Sequence, residues 1–309
     1  MSDDSAARLV LRRDALARGL SDDELGRLTR RREWQRLRRG AYVDGALPKD
    51  AAARHVMLVR ATVTGLRRPA VVSHQSAAVL HGMLLWGVPL HRVHVMRRPP
   101  AWNDSGSTLV THVGRLRDDD VDLVGGIPVT SAARTAVDLA RCQPFEVAVV
   151  LLDAALHDRV VDRAGLADAL AAVEGAPGSR SAARAVAFTD GRSESVGESR
   201  SRVALNRLDL MPSTLQLPVR TVAGRLVGRA DFGWEAQRVV GEFDGRVKYG
   251  RLLRDGQTPG DVVFEEKRRE DEFRDEGWGV VRWTWGDLDV PARLGDRVSR
   301  ALARSATAS

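Results

Sequence analysis

Residues 228–248 read GRADFGWEAQRVVGEFDGRVK, two strand-like arms that carry acids where a packed sheet would otherwise be apolar. The first arm runs from Leu226 to Trp234 and the second from Arg238 to Phe243. A turn centred between Ala236 and Gln237 sets Phe232 opposite Gly241 and Asp231 opposite Glu242. Ala-Gln is not a favoured two-residue turn, but a longer loop with an even number of residues about the same centre keeps this pairing. The strand period of two then puts Asp244 on the face of Glu242. Carboxylates crowded on one face repel each other unless a cation lies between them. Mg²⁺ is held by one or two carboxylates together with water and substrate phosphate. The spacing therefore admits a metal site for phosphodiester chemistry, although acids on hairpins are more often solvated edge residues.

The flanking sequence supplies the rest of a domain. Gly191–Ser193 closes a stretch rich in Gly, Pro and Ser and is the expected boundary, with Ser193 as the cap of a helix bearing Glu194 and Glu198 one turn apart. Leu215–Val219 and Leu226–Phe232 read as strands. A loop is expected over 249–261 and a densely charged helix over 262–276, ended by Gly277. A buried strand through Val280, Val281, Trp283 and Trp285 follows, giving the order α-β-β-β-α-β.

In that order, Glu198 in GESRSR, Asp231 in GRADFGW, Glu242 and Asp244 in VVGEFDG, and the run EEKRREDEFRDEGWGVVRWTW resemble the PD-(D/E)XK nuclease-like superfamily. More narrowly they are similar to the small Vsr-like domains at the C-termini of actinobacterial proteins. The resemblance covers roughly residues 193–303. It implies a restriction-endonuclease-like core in which Glu198, Asp231 and Glu242 hold Mg²⁺ or Mn²⁺, with Asp231 and Glu242 as the direct ligands. One position departs from the family. The lysine usual two residues after the second acid is Asp244 here, so Lys248 or Lys267 is expected to stand in for it, and Asp244 to act as a further ligand or a partner behind one.

The N-terminal segment is read from its own residues. Leu9, Val10 and Leu11 precede a short helical stretch ending at Gly19, and Ser21-Asp-Asp-Glu24 reads as a capping box opening a second helix. Arg27, Arg30, Arg31 and Arg32 crowd the later turns of that helix; Arg36, Arg38 and Arg39 follow, against the single acid Glu33. WQRLRRGAYVDG then reads as strand, glycine turn and strand. Helix, turn, basic helix and β-wing describe a winged helix-turn-helix, whose second helix enters the major groove while the wing touches phosphate. The alternative is a solvated arginine face. The segment, with its RLRRGAYV pattern, resembles the N-terminal domain of AbiEi-type antitoxins of type IV toxin–antitoxin systems. That resemblance implies DNA binding as a repressor by these seven arginines and a toxin as partner; a repair or defence protein is the other partner expected.

Residues 47–190 read as a mixed α/β middle domain, weakly similar to the core that follows the winged helix in AbiEi-like proteins. Helices are expected over 51–64, 73–84, 145–157 and 164–173, with HRVHVMR, STLVTHVG and 121–129 as strands. His91 and His94, three apart, do not share a strand face, and His74 and His81 lie two helical turns apart without an acidic neighbour. The histidines are therefore read as structural groups rather than zinc ligands. The fold expected is thus α+β and multidomain, with segments 1–46, 47–190 and 191–309.

The net charge of +7 favours a polyanionic partner, although an arginine-rich composition with only three lysines (Lys49, Lys248, Lys267) also fits a GC-rich genome. The single cysteine, Cys142, excludes an intrachain disulfide and a cysteine-based zinc site. No stretch GxxxxGK[ST] or GxGxxG occurs, so a nucleotide cofactor finds no support. No apolar run approaches the ~20 residues that span a bilayer, and the acidic start MSDDSAARLV lacks the apolar core of a signal peptide; a cytoplasmic DNA-associated protein is expected. Two activities follow from these readings: metal-dependent endonucleolytic hydrolysis of DNA, or a non-catalytic antitoxin-like repressor that uses a nuclease-like fold for binding only.

Overall fold

The computed structural model describes residues 7–245 and 259–306. The chain is mixed α and β and divides into two compact units, one comprising the described residues of 1–143 and 160–183, the other those of 144–159 and 184–309. The expected segment 1–46 thus shares a unit with most of 47–190, while 144–159 and 184–190 belong to the second unit. The first segment is tied to the second by a small core of Leu11, Ala41 and Ala61. Helix 145–157 joins the second unit, where it packs on the helix bearing Glu198.

The first unit opens with β1 (Arg8–Leu11), α1 (Arg12–Ala17), α2 (Asp22–Arg30), β2 (Trp34–Arg38) and β3 (Ala41–Asp44), and its strands form an antiparallel sheet in the order β1-β3-β2. Gly19, at φ 94°, ends the first helical stretch in the left-handed region that a Cβ disfavours. The capping box at Ser21 forms as its sequence predicts: Ser21 Oγ accepts from Glu24 N at 3.2 Å, and Ser21 N donates to Glu24 Oε2 at 2.8 Å. Leu25 is buried with Val10 and Ala15, and Trp34 and Tyr42 pack against them.

The chain continues through α3 (Ala51–Val63), β4 (Val71–Val72), α4 (His74–Leu80), β5 (Val93–Arg97), β6 (Asp104–Ser105), β7 (Leu109–Val113), β8 (Val121–Val124), β9 (Ile127–Thr130) and α5 (Ala132–Cys142). After α6 (Phe145–His157), which belongs to the second unit, α7 (Arg163–Ala171) and the first part of α8 (Ser179–Phe188) complete the first. Six strands form a mixed sheet in the order β6-β7-β5-β4-β9-β8. Val93 and Val95 point inward and are fully buried, as their alternation requires. Gly125 and Gly126, both at positive φ, make the tight turn between β8 and β9. Helix α4 stops short of the expected Leu84 because the chain turns left-handed at Gly82.

In the second unit, α9 (Val196–Arg207) precedes β10 (Thr214–Arg220), β11 (Leu226–Trp234), β12 (Val239–Asp244), α10 (Pro259–Asp275) and β13 (Gly279–Thr284), followed by α11 (Trp285–Leu288) and α12 (Pro291–Ala306). This is the expected α-β-β-β-α-β order. The sheet runs β10-β11-β12-β13, antiparallel except for the parallel pair β12–β13. Both faces are covered. Phe232, Trp234, Trp283, Leu294 and Val298 fill one layer, and Leu217, Ala230, Val240 and Phe273 fill the other. A fully buried side chain such as Phe232 contributes about 1.5–3 kcal/mol relative to exposure. Helix α10 begins at Pro259, three residues ahead of the expected position 262; proline is well suited to a first helical turn. Most of the loop expected over 249–261 lies outside the described residues. Among the described residues, no helix is long and apolar enough to cross a membrane.

Candidate functional site

The hairpin register agrees with the sequence. Phe232 pairs with Gly241, Gly233 with Val240 and Trp234 with Val239. The connection is the longer even loop, a 3₁₀ turn over Glu235–Gln237 closed by Arg238 in the left-handed region. No side chain fits at position 241, where a Cβ would lie 2.6 Å from Trp283 Cη2.

Asp231 is the centre of the acidic group. Its Oδ2 accepts the backbone N–H of Phe243 at 2.8 Å, which ties the first arm of the hairpin to the second. Its carboxyl is pushed up to about 7. Burial is the main cause, the negative charges of Glu198 and Glu242 add to it, and the Phe243 N–H and Arg269 oppose it. Glu198, from a helix, and Glu242, from the next strand, thus lie near enough for their charges to bear on Asp231, but among the described residues the group whose ligating atoms all lie within 4.8 Å of one another is that of His74, His94 and His112 and not these three acids.

Glu198 is placed by the start of α9. The cap is Ser195, whose Oγ accepts from Glu198 N at 3.2 Å and donates to Glu198 Oε1 at 2.7 Å. This corrects the expected cap at Ser193 and leaves Glu194 before the helix. There its backbone N–H donates to Glu198 Oε2 at 2.9 Å and its carboxylate pairs with Arg229 at 2.6 Å. Gln216 donates to the same Oε2 at 2.8 Å. Gln216 lies at φ 54°, a conformation costing of order 1–3 kcal/mol in a residue with a side chain. The reversal it introduces lets Leu215 and Leu217, two apart, pack in opposite layers of the sheet.

Glu242 is met by arginines. Arg269 Nη2, on α10, donates to Oε1 at 2.9 Å. Arg282 Nη2, its neighbour in the β12–β13 register, lies 2.7 Å from Oε2, an ion pair without hydrogen-bond alignment. The lysine expected beside the acids is not found among the described residues. Lys267 is exposed, because two residues along a helix turn a side chain through roughly 200° from the face that Arg269 occupies. Lys248 lies outside the described residues. Asp244, half-buried at the end of β12, pairs with Thr284. Sequence reasoning missed Gln216, Arg269 and Arg282; only Arg282 carried a usable signal, a charged residue flanked by the buried Val281 and Trp283.

The donor set suits a hard cation. A carboxylate raised by burial and by neighbouring negative charge, as Asp231 is, is relieved by a divalent ion. Asp231 and Glu242 are the residues that would hold Mg²⁺ or Mn²⁺, with Arg269 and Arg282 competing for Glu242.

On the basic segment, Arg27 and Arg30 project from α2, Arg31 caps it, Arg32 turns the chain at φ 60°, Arg36 lies on β2 and Arg39 at the hairpin turn, and all six are at least partly exposed. Arg38 differs. It donates to the carbonyl oxygens of Ala61 and, at 2.9 Å, Arg39, and burial lowers its pKa, so it anchors the segment to α3 rather than facing solvent. The histidine pairs weighed on spacing do not form. His81 bonds the Thr130 carbonyl and His91 is exposed, whereas His74, His94 and His112 meet.

No family model matches the chain. Two curated relatives from Mycobacterium tuberculosis, the uncharacterized proteins MT2308 and Rv2248, are each 31% identical over 186 residues, 59% of this chain. The chain spans 64% of the length of these relatives. A crystal structure of the RV2827C protein from the same organism aligns over 69% of this chain and 83% of its own, at 16% identity and a TM-score of 0.38, too distant to carry a structural argument.

Proposed function

We propose that the protein is a cytoplasmic DNA-binding protein whose second unit hydrolyses phosphodiester bonds with Mg²⁺ or Mn²⁺. The observation that carries this reading is the buried Asp231 beside the strand of Glu242, bonded by the Phe243 N–H, with its carboxyl raised to about 7 by burial and then by the charges of Glu198 and Glu242. When bound, the metal supplies Lewis acidity to the phosphate and lowers the pKa of its water. Asp231 and Glu242 bind it. Glu198, fixed by Ser195 and Gln216, orients water on the side of α9. Arg269 supplies a fixed positive charge beside Glu242 that offsets charge developing at the phosphate. As an arginine it stays protonated and does not take the proton-accepting role open to a lysine. The exposed arginines from Arg27 to Arg39 bind the duplex backbone, and their contacts weaken with salt.

The second reading is an antitoxin-like repressor, with a toxin as partner, in which the acidic group is structural. It is favoured by the two arginines on Glu242 and by Asp244 in place of the usual lysine. The deciding experiment incubates the protein and its Asp231→Ala variant with plasmid and short duplex or single-stranded DNA, in Mg²⁺, Mn²⁺ or EDTA. Metal-dependent nicking by the parent alone supports the nuclease. Absence of cleavage with equal, salt-sensitive DNA binding by both proteins refutes it in favour of the repressor.

A further inference from the structure

Three histidines distant in sequence meet inside the first unit: His74 at the start of α4, His94 on β5 and His112 on β7. Strands β5 and β7 run parallel with His94 beside Val110 and Met96 beside His112, which brings the two imidazoles together diagonally. His94 Nδ1 lies 2.9 Å from His112 Nε2. The His74 ring stacks on His112 with centroids 3.7 Å apart. One ligating nitrogen from each histidine lies within 4.8 Å of the others. His74 sits at φ 51°, in the left-handed region that residues with a Cβ seldom adopt. Strain of that kind collects where a side chain must be delivered to a particular place.

The surroundings prepare these rings as ligands. His74 and His94 are buried and His112 is half-buried, so the rings are held in fixed positions away from bulk water. His74 Nδ1 bonds Ser73 Oγ at 3.0 Å, leaving Nε2 for coordination. Gln75 Nε2 lies 2.7 Å from His94 Nε2. With the Gln75 amide reversed, His94 Nε2–H donates to the amide oxygen and Nδ1 is free to ligate, the outer hydrogen bond that metal-bound histidines use. Three nitrogen donors without a carboxylate suit a borderline ion such as Zn²⁺ over Mg²⁺. Tetrahedral Zn²⁺ with bonds of about 2.0–2.1 Å needs donors roughly 3.3 Å apart, so the widest pair closes by at most about 1.5 Å through side-chain rotation. His74 and His112 also line a cavity of about 630 Å³, shared with Asn103, Arg115 and Arg141. A fourth position therefore faces open space rather than packed protein, the pattern of a site that exchanges a ligand. The nearby cations Arg134 and Arg141 are both bound to the buried Asp138, at 2.9 and 2.7 Å, which reduces their repulsion of a metal.

We propose that His74, His94 and His112 form a three-histidine site for a transition-metal ion of the Zn²⁺ class, with a remaining coordination position open to the cavity. The site is independent of the carboxylate group in the second unit. The test uses untagged full-length protein stripped with EDTA and titrated with Co²⁺, followed by visible absorption, with Zn²⁺ as competitor. The expected result is an intense tetrahedral-type spectrum that saturates at one equivalent and is displaced by Zn²⁺. In His112→Gln and His94→Gln, each checked for folding by circular dichroism, the affinity falls roughly tenfold or more. Absence of stoichiometric Co²⁺ binding by the parent protein overturns the proposal, as does full binding by a folded histidine variant.

Discussion

Replacing Asp231 by Asn turns the acidic group into a measurement. The Asp231 carboxyl moves from 3.8 in the unfolded chain to about 7 in the folded one, chiefly through burial and next through Glu198. A carboxyl raised by folding costs nothing where it is protonated in both states, below its unfolded value. The cost grows as pH rises through the interval and is complete above about 7. At 1.36 kcal/mol per pH unit, the whole interval is worth about 4 kcal/mol, of which about 3 kcal/mol falls between pH 5 and pH 8. Asn has nearly the same shape and no charge. Asp231→Asn should therefore match the parent below about pH 4, exceed it in stability by roughly 1–2 kcal/mol at pH 5 and by about 4 kcal/mol at pH 8. Urea unfolding in EDTA, followed by tryptophan fluorescence, measures this, since four of the seven tryptophans lie in the second unit. Added Mg²⁺ should narrow the gap at pH 8 by stabilising the parent alone. A stability difference that does not change with pH would show that Asp231 is not held among uncompensated negative charges, and would remove the main support for a metal site.

Two further outcomes follow from particular side chains. Changing Arg27, Arg30, Arg36 and Arg39 to Ala should weaken DNA binding and lower the slope of log affinity against log salt by about 0.9 for each phosphate that is no longer neutralised, measured by fluorescence anisotropy over a salt series; an unchanged slope assigns these arginines to solvent. Arg202→Ala should destabilise the second unit by about 3–5 kcal/mol in the same urea assay, because Arg202 Nη1 lies 2.6 Å from the fully buried carboxylate of Asp153; a destabilisation below about 1 kcal/mol would mean that Thr189 and the Asp190 N–H, each 2.7 Å from the other oxygen, suffice to hold that charge.

Local patterns were readable in the chain because the forces behind them are local. The box at Ser21 and Glu24 spans one helical turn, the strand of Val93 and Val95 alternates, and the register of Phe232 with Gly241 follows from two arms and a loop of even length. The α-β-β-β-α-β order of the second unit, and with it the nearness of Asp231 to Glu242, came from such patterns. Contacts made by folding over long distances were not readable. The clearest cases are Arg269 and Arg282 on Glu242, Arg38 buried against Ala61, and the displacement of helix 145–157 into the second unit. Arginines look alike in a sequence; packing alone decides whether one reaches solvent or a carboxylate. His74, His94 and His112 are the same case. Residue spacing finds ligands on one helix or strand, while these three meet only because β5 pairs with β7 and α4 starts beside them. The sequence by itself determined which segments became helices and strands, since backbone propensity and apolar period act within a few residues; the tertiary structure alone decided which charges and imidazoles share a site, since that depends on burial and on pairing between strands far apart along the chain.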